Sequence, residues 1–545
     1  MLPPNWTPAQ LRDRVTNVLH RGEALEAAYE TITVGQLVSM RARTHGTTTA
    51  IDIFERGERA TYSEMDRTAN WHANALHAFG VRKGDRVAVM LPNRIEWPSL
   101  FFALAKLGAV MVPISMRSTP REVAYIITDT QAEFAVVDES AWRVFSAMDP
   151  WPQALSKNRT ILVGQPSGGK AITLHQLLRR VGDAPTDGDI HPEDLLAIHY
   201  TSGTTGFPKG CMLTHEYWVV CAYVCAYLNP YKTSLSWASS SYVSWPIILL
   251  SSYTLGGTIY VAQQMDPSKL MDWVKNLRIE WCPLPRQIAK DVHHLPPHLK
   301  QVWQYDGWSA ETVHRFREKF GVNANHTFGM TEIGCGTQMP PELAEMNEAG
   351  SVGMRSPFRE LRLVADDGSS TPIGEVGELW VKGRGIFKGY WNRPEVNAAS
   401  FEGEWFKTGD LLRHNELGFY WFVGRRKDII RRFTDNISAC EVEAIIREIP
   451  EIADVAAVPI PDEKWGEEVK IYVELTKGLI PADMRVERIV EHARARLALY
   501  KVPRYIGFIH TLPRTIASNK ILKRELMAVS DPLSDTYDTE EKRWR

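Results

Sequence analysis

The sequence predicts an α/β protein: a large N-terminal domain of helix-covered, mostly parallel sheets with a β-rich subdomain, then a small α/β C-terminal domain. Three observations predict this. Residues 86–138 alternate short apolar strands with helices, the pattern of a parallel sheet. From 374 to 421 glycine punctuates a series of short strand patterns, the texture of a smaller β-rich subdomain. Beyond Arg425 the pattern returns to a compact α/β unit that ends near Leu526, a length suited to a small domain. At 545 residues the chain is long enough to need more than one core.

Taken in order, residues 33–80 alternate helical patterns with short strands. Residues 86–91 read as a buried strand and 97–107 as an apolar helix that Gly108 ends. Residues 110–114 form the next strand, 120–128 a second helix and 134–137 a third strand. The stretch 152–192, rich in Gly, Ser and Asp, reads as a surface excursion. Residues 217–227 form an apolar helix with Cys221 and Cys225 one turn apart on one face. The predicted domain bounds are 1–425, a hinge at 426–428, a C-terminal domain over 429–526, and a polar, disordered tail over 527–545.

Bulk properties exclude several classes. A formal net charge of −2 gives no electrostatic basis for binding nucleic acid or an anionic membrane. The six cysteines form no C-x-x-C pair, which argues against structural zinc and for reduced thiols. The first residues lack the layout of a signal peptide, and the apolar stretch 242–262 is interrupted by Pro246, serines and paired glycines. No membrane span and a cytoplasmic protein are the resulting expectations.

One stretch, YTSGTTGFPKG at 200–210, has the composition of a phosphate-handling loop. Gly203, Gly206 and Gly210 allow tight turning and close approach of backbone N–H groups to an anion. Thr201, Ser202, Thr204 and Thr205 add short donors, and Lys209 adds a point charge. Phe207 and Pro208 precede the lysine, so this is not a Walker loop, in which lysine directly follows glycine. The stretch closely resembles the signature loop of the adenylate-forming enzymes: acyl-CoA ligases, peptide-synthetase adenylation domains and luciferases.

Two further motifs agree with that resemblance. TFGMTEIG at 327–334 resembles the family's aromatic-Gly-x-Thr-Glu word, with Phe where Tyr is usual. Glu332 is a hard oxygen ligand suited to Mg²⁺ on phosphates, with Thr204 as the second implied metal contact. Phe328 can stack on adenine and Thr331 can hydrogen-bond a phosphate; Thr327 and Gly329 complete this part of the implied nucleotide site. In WFKTGDL at 405–411, Asp410 matches the ribose-binding aspartate, Arg425 matches the arginine that backs it, and Phe422 lies between them in sequence. The stretch YDGWSAE adds Asp306, Gly307 and Trp308 to the implied nucleotide contacts. Lys427 matches the family's hinge, and Lys520, in LPRTIASNKILKREL, matches the lysine that reaches the α-phosphate and carboxylate. The resemblance spans 33–526.

It implies an acyl-CoA ligase that uses ATP (or acyl-AMP), Mg²⁺ and coenzyme A, with a mobile C-terminal domain that alternates between half-reactions. Trp308 stands where a small residue is usual, and Trp245 where an aromatic or His gates the acyl pocket. With Val243, Gly329 and Gly334 they outline the implied pocket for a bulky, apolar or aromatic carboxylic acid. Thr434 replaces a glycine of the implied CoA tunnel, which also includes Asn436. The spacing before Lys520 is one residue longer than usual, with Asn519 in place of glycine; one residue adds up to about 3.5 Å of chain. These departures keep other readings open. One is a member with impaired adenylation that accepts acyl-adenylate from a separate adenylating enzyme; another is an enzyme that loads a carrier protein. A luciferase-type oxygenase and a nucleotide-binding pseudoenzyme also remain, the last opposed by retention of Lys209, Glu332, Asp410, Arg425 and Lys520.

Overall fold

The structure, a computed structural model, describes residues 7–165, 171–186, 188–201, 208–304, 308–432, 435–462, 465–515 and 519–545, with backbone alone at 427, 435 and 436. The chain forms two compact units. The first comprises the described residues up to Leu361 with Val381–Phe406 and Leu417–Phe419. The second comprises Arg362–Trp380, Lys407–Glu416 and the described residues from Tyr420 on. A single boundary at 425 is therefore replaced by a strand-rich stretch that alternates between the units. Local texture marks such strands but not their membership, which depends on distant partners.

The first unit opens with helix α1 (Pro8–Ala28), whose N-terminus is closed by a capping box between Thr7 and Gln10. One sheet, among the described residues, orders its strands Ile172–Thr173, Thr160–Val163, Phe134–Asp138, Arg86–Met90, Val110–Pro113, β1 (Leu195–Thr201) and β2 (Lys209–Thr214). All neighbours run parallel except the β1–β2 hairpin. The expected strands and helices of 86–138 all form. The excursion at 152–192 differs from expectation: it supplies two strands to the sheet edge, because Ile161, Leu162 and Val163 are apolar enough to be buried there. A second sheet centred on Thr233–Ser236 is likewise parallel except at one edge pair.

Helix Glu96–Leu107 is buried almost all round, as its sequence WPSLFFALAKL requires. Trp97 lies against Trp245, with ring centroids 4.7 Å apart. Each leucine or phenylalanine of this helix removed from water contributes roughly 1.5–3 kcal/mol. Helices α2 (His215–Leu228) and α3 (Ser244–Leu255) are similarly apolar, and α3 is too short to span a bilayer. Among the described residues no helix is long and apolar enough to cross a membrane. Strands β3 (Thr327–Met330) and β4 (Gly334–Gln338) form an antiparallel hairpin whose turn holds Thr331 and Glu332.

Strand β5 (Trp405–His414) pairs antiparallel with β6 (Phe419–Arg425), and the parts of both that lie in the second unit set Asp410 opposite Arg425. Further on, β7 (Gly466–Leu475) lies parallel to β8 (Tyr505–Phe508) over a core that includes Val442, Ile446, Ile471 and Ile489.

The polar tail expected to be disordered is ordered. Strand β9 (Thr536–Asp538) pairs with β8, and β10 (Arg543–Trp544) pairs with β9. Its inward residues, Thr536 and Asp538, are fully buried but polar. Asp538 meets Arg504 and Arg545, and buried Lys470 of β7 donates to the Pro532 carbonyl (2.5 Å) and Thr536 Oγ1 (2.7 Å). Hydropathy cannot reveal a strand docked by hydrogen bonds and ion pairs.

Burial pulls Lys470 down to about 8, opposed by Asp531 and Asp535. Between that value and its ordinary 10.5, the unfolded chain binds a proton that the folded one does not. Stability from this group therefore rises with pH across the window. Thermal denaturation of wild type and K470M is expected to show their difference in Tm moving in favour of wild type between about pH 8 and 10.5. A pH-independent difference would contradict this.

Candidate functional site

The loop at 202–207, which holds Ser202, Gly203, Thr204, Thr205 and Gly206, lies outside the described residues, as do Asp306, Gly307 and Thr434. Its two ends are described. Thr201 and Lys209 are cross-strand partners where β1 turns back into β2. A polar network holds these ends: Tyr125 donates to the Pro208 carbonyl (2.9 Å), and Tyr200 donates to Asp129 (2.5 Å). Arg393 binds both Asp129 and the Tyr125 hydroxyl at 2.9 Å.

Beside Lys209 lies Glu332, 5% exposed, in the β3–β4 turn. The Tyr390 hydroxyl donates to its Oε1 at 2.7 Å, and the Phe387 N–H donates to its carbonyl oxygen at 2.8 Å. Lys209 Nζ stands 4.2 Å from the centre of the same tyrosine ring, within cation–π range. Burial and then the Glu332 charge push the Tyr390 hydroxyl well above its ordinary value, so it remains a donor. Burial, reinforced by Glu332, likewise keeps the Cys211 thiol protonated. A carboxylate, an ammonium and a neutral phenol thus converge at the mouth of the loop.

Tyr390 was not among the residues singled out from sequence. It sits in KGYWNRP, where the glycine-rich texture signals strands without showing which neighbour they meet. The segment lies along β2: Met212 N–H donates to the Gly389 carbonyl, and Trp391 N–H to the Gly210 carbonyl. Asn397 then clamps the Tyr390 backbone, accepting from its N–H at 2.7 Å and donating to its carbonyl at 2.9 Å.

The other residues of the motif are placed as follows. Thr327 accepts from Trp303 Nε1 at 3.1 Å, and Phe328 stands opposite Thr337 in the hairpin. Gly329 and Gly334 are required by close approach: a Cβ on Gly329 would meet the Gly334 carbonyl oxygen at 2.3 Å, and one on Gly334 the Cys221 sulfur at 2.4 Å. Val243 precedes α3, while Trp245 is fully buried in its first turn. The Trp308 ring fills core volume against Phe316, at 5.1 Å between centroids, where Val313 and Val322 also pack. It was expected to add surface beside adenine and the acyl group; a ring 7% exposed offers little.

In the second unit, Asp410 is nearly buried, with Arg425 Nε 3.2 Å from its Oδ1. The preceding turn is fixed by Thr408, which donates to the Leu379 carbonyl, and by Gly409 N–H on Glu378. Phe422 is 36% exposed on β6. Lys427 lies in the single 3-10 turn Arg426–Asp428, and the Asn436 backbone pairs with Arg431.

Lys520 is exposed at the end of a closed loop. Thr515 N–H donates to the Lys520 carbonyl (2.8 Å), Lys520 N–H donates to Thr515 Oγ1 (3.1 Å), and Arg514 bridges to Ile521. Asn519 takes φ 55°, a left-handed conformation that asparagine tolerates in place of glycine. Lys520 is thus tied to Thr515 through its own backbone.

Among the described residues no group of three His, Cys, Asp or Glu is gathered to hold a metal. Glu332 alone suits Mg²⁺, which binds through one or two carboxylates with phosphate oxygens supplying the rest. Lys209 and Glu332 in the first unit, and the Asp410–Arg425 pair and exposed Lys520 in the second, are the residue types of an adenylate-forming acid–thiol ligase, the class its relatives belong to. The chain belongs to the AMP-binding enzyme family: that family's model matches residues 38–391, and the model of the AMP-binding enzyme C-terminal domain matches 441–519.

Among curated relatives, the long-chain-fatty-acid–CoA ligase FadD13 of Mycobacterium tuberculosis is 30% identical over 498 residues, covering 86% of this chain and 92% of that protein. Feruloyl-CoA synthase of Amycolatopsis sp is also 30% identical, over 502 residues, covering 86% and 94%. A solved structure of o-succinylbenzoate CoA synthetase from Bacillus subtilis, in complex with the acyl-adenylate intermediate OSB-AMP, is similar with a TM-score of 0.78. It is 25% identical, covering 91% of this chain and 98% of that one.

Proposed function

We propose that the protein joins a bulky, apolar or aromatic carboxylic acid to coenzyme A through an acyl-adenylate, consuming ATP. The observation that carries this is Glu332, buried at the mouth of the 202–207 loop, held by Tyr390 and flanked by Lys209. In the first step a carboxylate oxygen attacks the α-phosphorus and pyrophosphate leaves. In the second the CoA sulfur attacks the acyl carbon, the thiol proton is lost and AMP leaves. When bound, Mg²⁺ offsets phosphate charge.

In this reading Lys209 draws the triphosphate to the loop, and Glu332 contributes the protein's oxygen ligand to the metal. Asp410 accepts from the ribose hydroxyls, with Arg425 fixing its orientation. Lys520 places its ammonium between carboxylate and α-phosphate, where charge accumulates as the new bond forms. Lys427, in the 426–428 turn, is the hinge this reading assigns for alternation between the half-reactions.

The test follows each half-reaction by mass spectrometry. One arm supplies acid, ATP, Mg²⁺ and CoA, and the other supplies synthetic acyl-adenylate with CoA. Acyl-CoA from both arms is expected. Acyl-CoA from the adenylate arm alone would replace this reading with that of a thioester-forming member dependent on another enzyme. Failure of both arms across a broad panel of acids would favour transfer to a carrier protein or nucleotide binding without turnover.

A further inference from the structure

Arg359, in the first unit, is 1% exposed and forms no ion pair among the described residues. A guanidinium carries its N–H donors in a fixed fork, and here they meet carbonyl oxygens and one sulfur. Nε donates to the Ile333 carbonyl (3.0 Å). Nη1 donates to the Phe358 carbonyl (3.2 Å) and to the Arg384 carbonyl. Nη2 donates to the Gly385 carbonyl (3.2 Å), with the Cys221 sulfur 4.0 Å away. Taking a cation out of water without a carboxylate is costly, and an apolar side chain would fill the volume without that cost.

The backbone is strained to place this side chain. Phe358, the residue before it, has φ 64°, a left-handed conformation that a bulky residue rarely adopts. Neighbouring bonds hold it there. Phe358 N–H donates to Glu26 of α1 (2.8 Å), and Arg355 donates to Glu26 (3.0 Å) and to the Arg359 carbonyl (2.8 Å).

The segments that Arg359 joins surround Glu332. Ile333 follows Glu332 in the β3–β4 turn, and Gly385 lies two residues before Phe387, whose N–H donates to the Glu332 carbonyl (2.8 Å). Arg359 bridges 333 to 385 while Phe387 binds 332, so the two short segments are fastened at both ends. The second segment continues to Tyr390, which donates to the Glu332 carboxylate. A Cβ on Gly334 would stand 3.5 Å from Nη2, so the guanidinium lies against the turn itself. Burial raises the Cys221 thiol beside it, and the Arg359 charge opposes that rise.

We propose that Arg359 is a positioning residue for the reaction. By fixing the Ile333 carbonyl and the segment leading to Tyr390 at once, it sets the aim of the Glu332 carboxylate toward Mg²⁺. A ligand keeps its geometry to a fraction of an ångström only when its own supports are fixed. The inference rests on the reading in which Glu332 gives the metal its oxygen ligand.

The experiment titrates Mg²⁺ with the full chain as wild type, R359M and R359K, each alone and combined with E332Q. It reads the Mg²⁺ midpoint of the ATP-induced rise in Tm and the Mg²⁺ midpoint of acyl-adenylate formation. R359M is expected to raise both midpoints by about tenfold, the worth of one good hydrogen bond. R359K, whose ammonium keeps the charge but not the fork, is expected to raise them by about threefold. Thioester formation from supplied acyl-adenylate is expected to change by no more than a few-fold. In the E332Q background neither substitution is expected to raise the midpoint further, because the carboxylate being aimed is gone.

A merely structural role would lower the Tm of the free protein and the fraction of active enzyme, which scales the signal and leaves the midpoint alone. If R359M does not fold, R359K decides. Unchanged midpoints, or an equal rise with and without Glu332, would overturn the inference and leave the ligase reading intact. A midpoint that E332Q alone leaves unchanged would overturn the metal role of Glu332 and this inference with it. Absence of acyl-adenylate and acyl-CoA from wild type across a broad panel of acids would overturn the ligase reading, while the Tm midpoints would still decide the role of Arg359.

Discussion

Replacing Lys520 with alanine is expected to lower acyl-adenylate formation by about 10²–10³-fold, the usual effect of removing one preorganised donor from a transition state. Thioester formation from supplied acyl-adenylate is expected to change by no more than a few-fold. The asymmetry follows from where charge develops. Only in the first step does negative charge gather on the carboxylate and the α-phosphate together, which is where a point-charge ammonium helps most. The 515–520 loop closes on itself through the backbone pairing of Thr515 with Lys520, so the substitution leaves its frame intact. K520R is expected to restore little, because a planar fork does not occupy the position of a compact ammonium. Equal loss in both half-reactions would refute the assignment and indicate damage to the C-terminal lobe.

Glu332→Gln is expected to cost a similar 10²–10³-fold in adenylation and to raise the Mg²⁺ concentration needed for half-maximal rate. The amide keeps the shape and still accepts from Tyr390, but it lacks the charge that a hard divalent cation requires. Tyr390→Phe removes only the 2.7 Å hydrogen bond that aims the carboxylate, and a fall of about tenfold is expected. Because the two residues act as one unit, the double variant should be scarcely worse than Glu332→Gln alone. A Mg²⁺ titration of all three variants checks this. An unchanged Mg²⁺ requirement in Glu332→Gln would remove Glu332 from the metal site.

The parallel sheet around residues 86–138 was legible because its strands are buried on both faces and its helices end at recognisable signals such as Gly108. The loop motif and the Glu332 and Asp410 words were legible because their residue types are constrained by the groups they would meet. Tyr390 was not, since its importance comes from lying along β2, far away in sequence. Nor was β9, whose inward Thr536 and Asp538 dock through Lys470, Arg504 and Arg545 without an apolar pattern. Trp308 shows a different limit: the motif drew attention to it as a site residue, and its packing against Phe316 was visible only in the structure. Arg359 carried no sequence signal, since a buried guanidinium held by carbonyls is visible only once its surroundings are known.

The attachment of α1 also bears on how the chain reaches this state during synthesis. Its first residues emerge early, yet the Glu342 that Arg21 grips lies 321 positions further on. At about 5–20 residues per second a ribosome needs roughly 16–64 s to deliver that partner. For that interval α1 lacks this partner and depends on ties made earlier, such as Arg21 and the Val18 carbonyl on the Tyr227 hydroxyl, 206 and 209 positions on. Slowing translation between the codons for Arg21 and Glu342 should lengthen this interval in proportion, whereas slowing it after Glu342 should not.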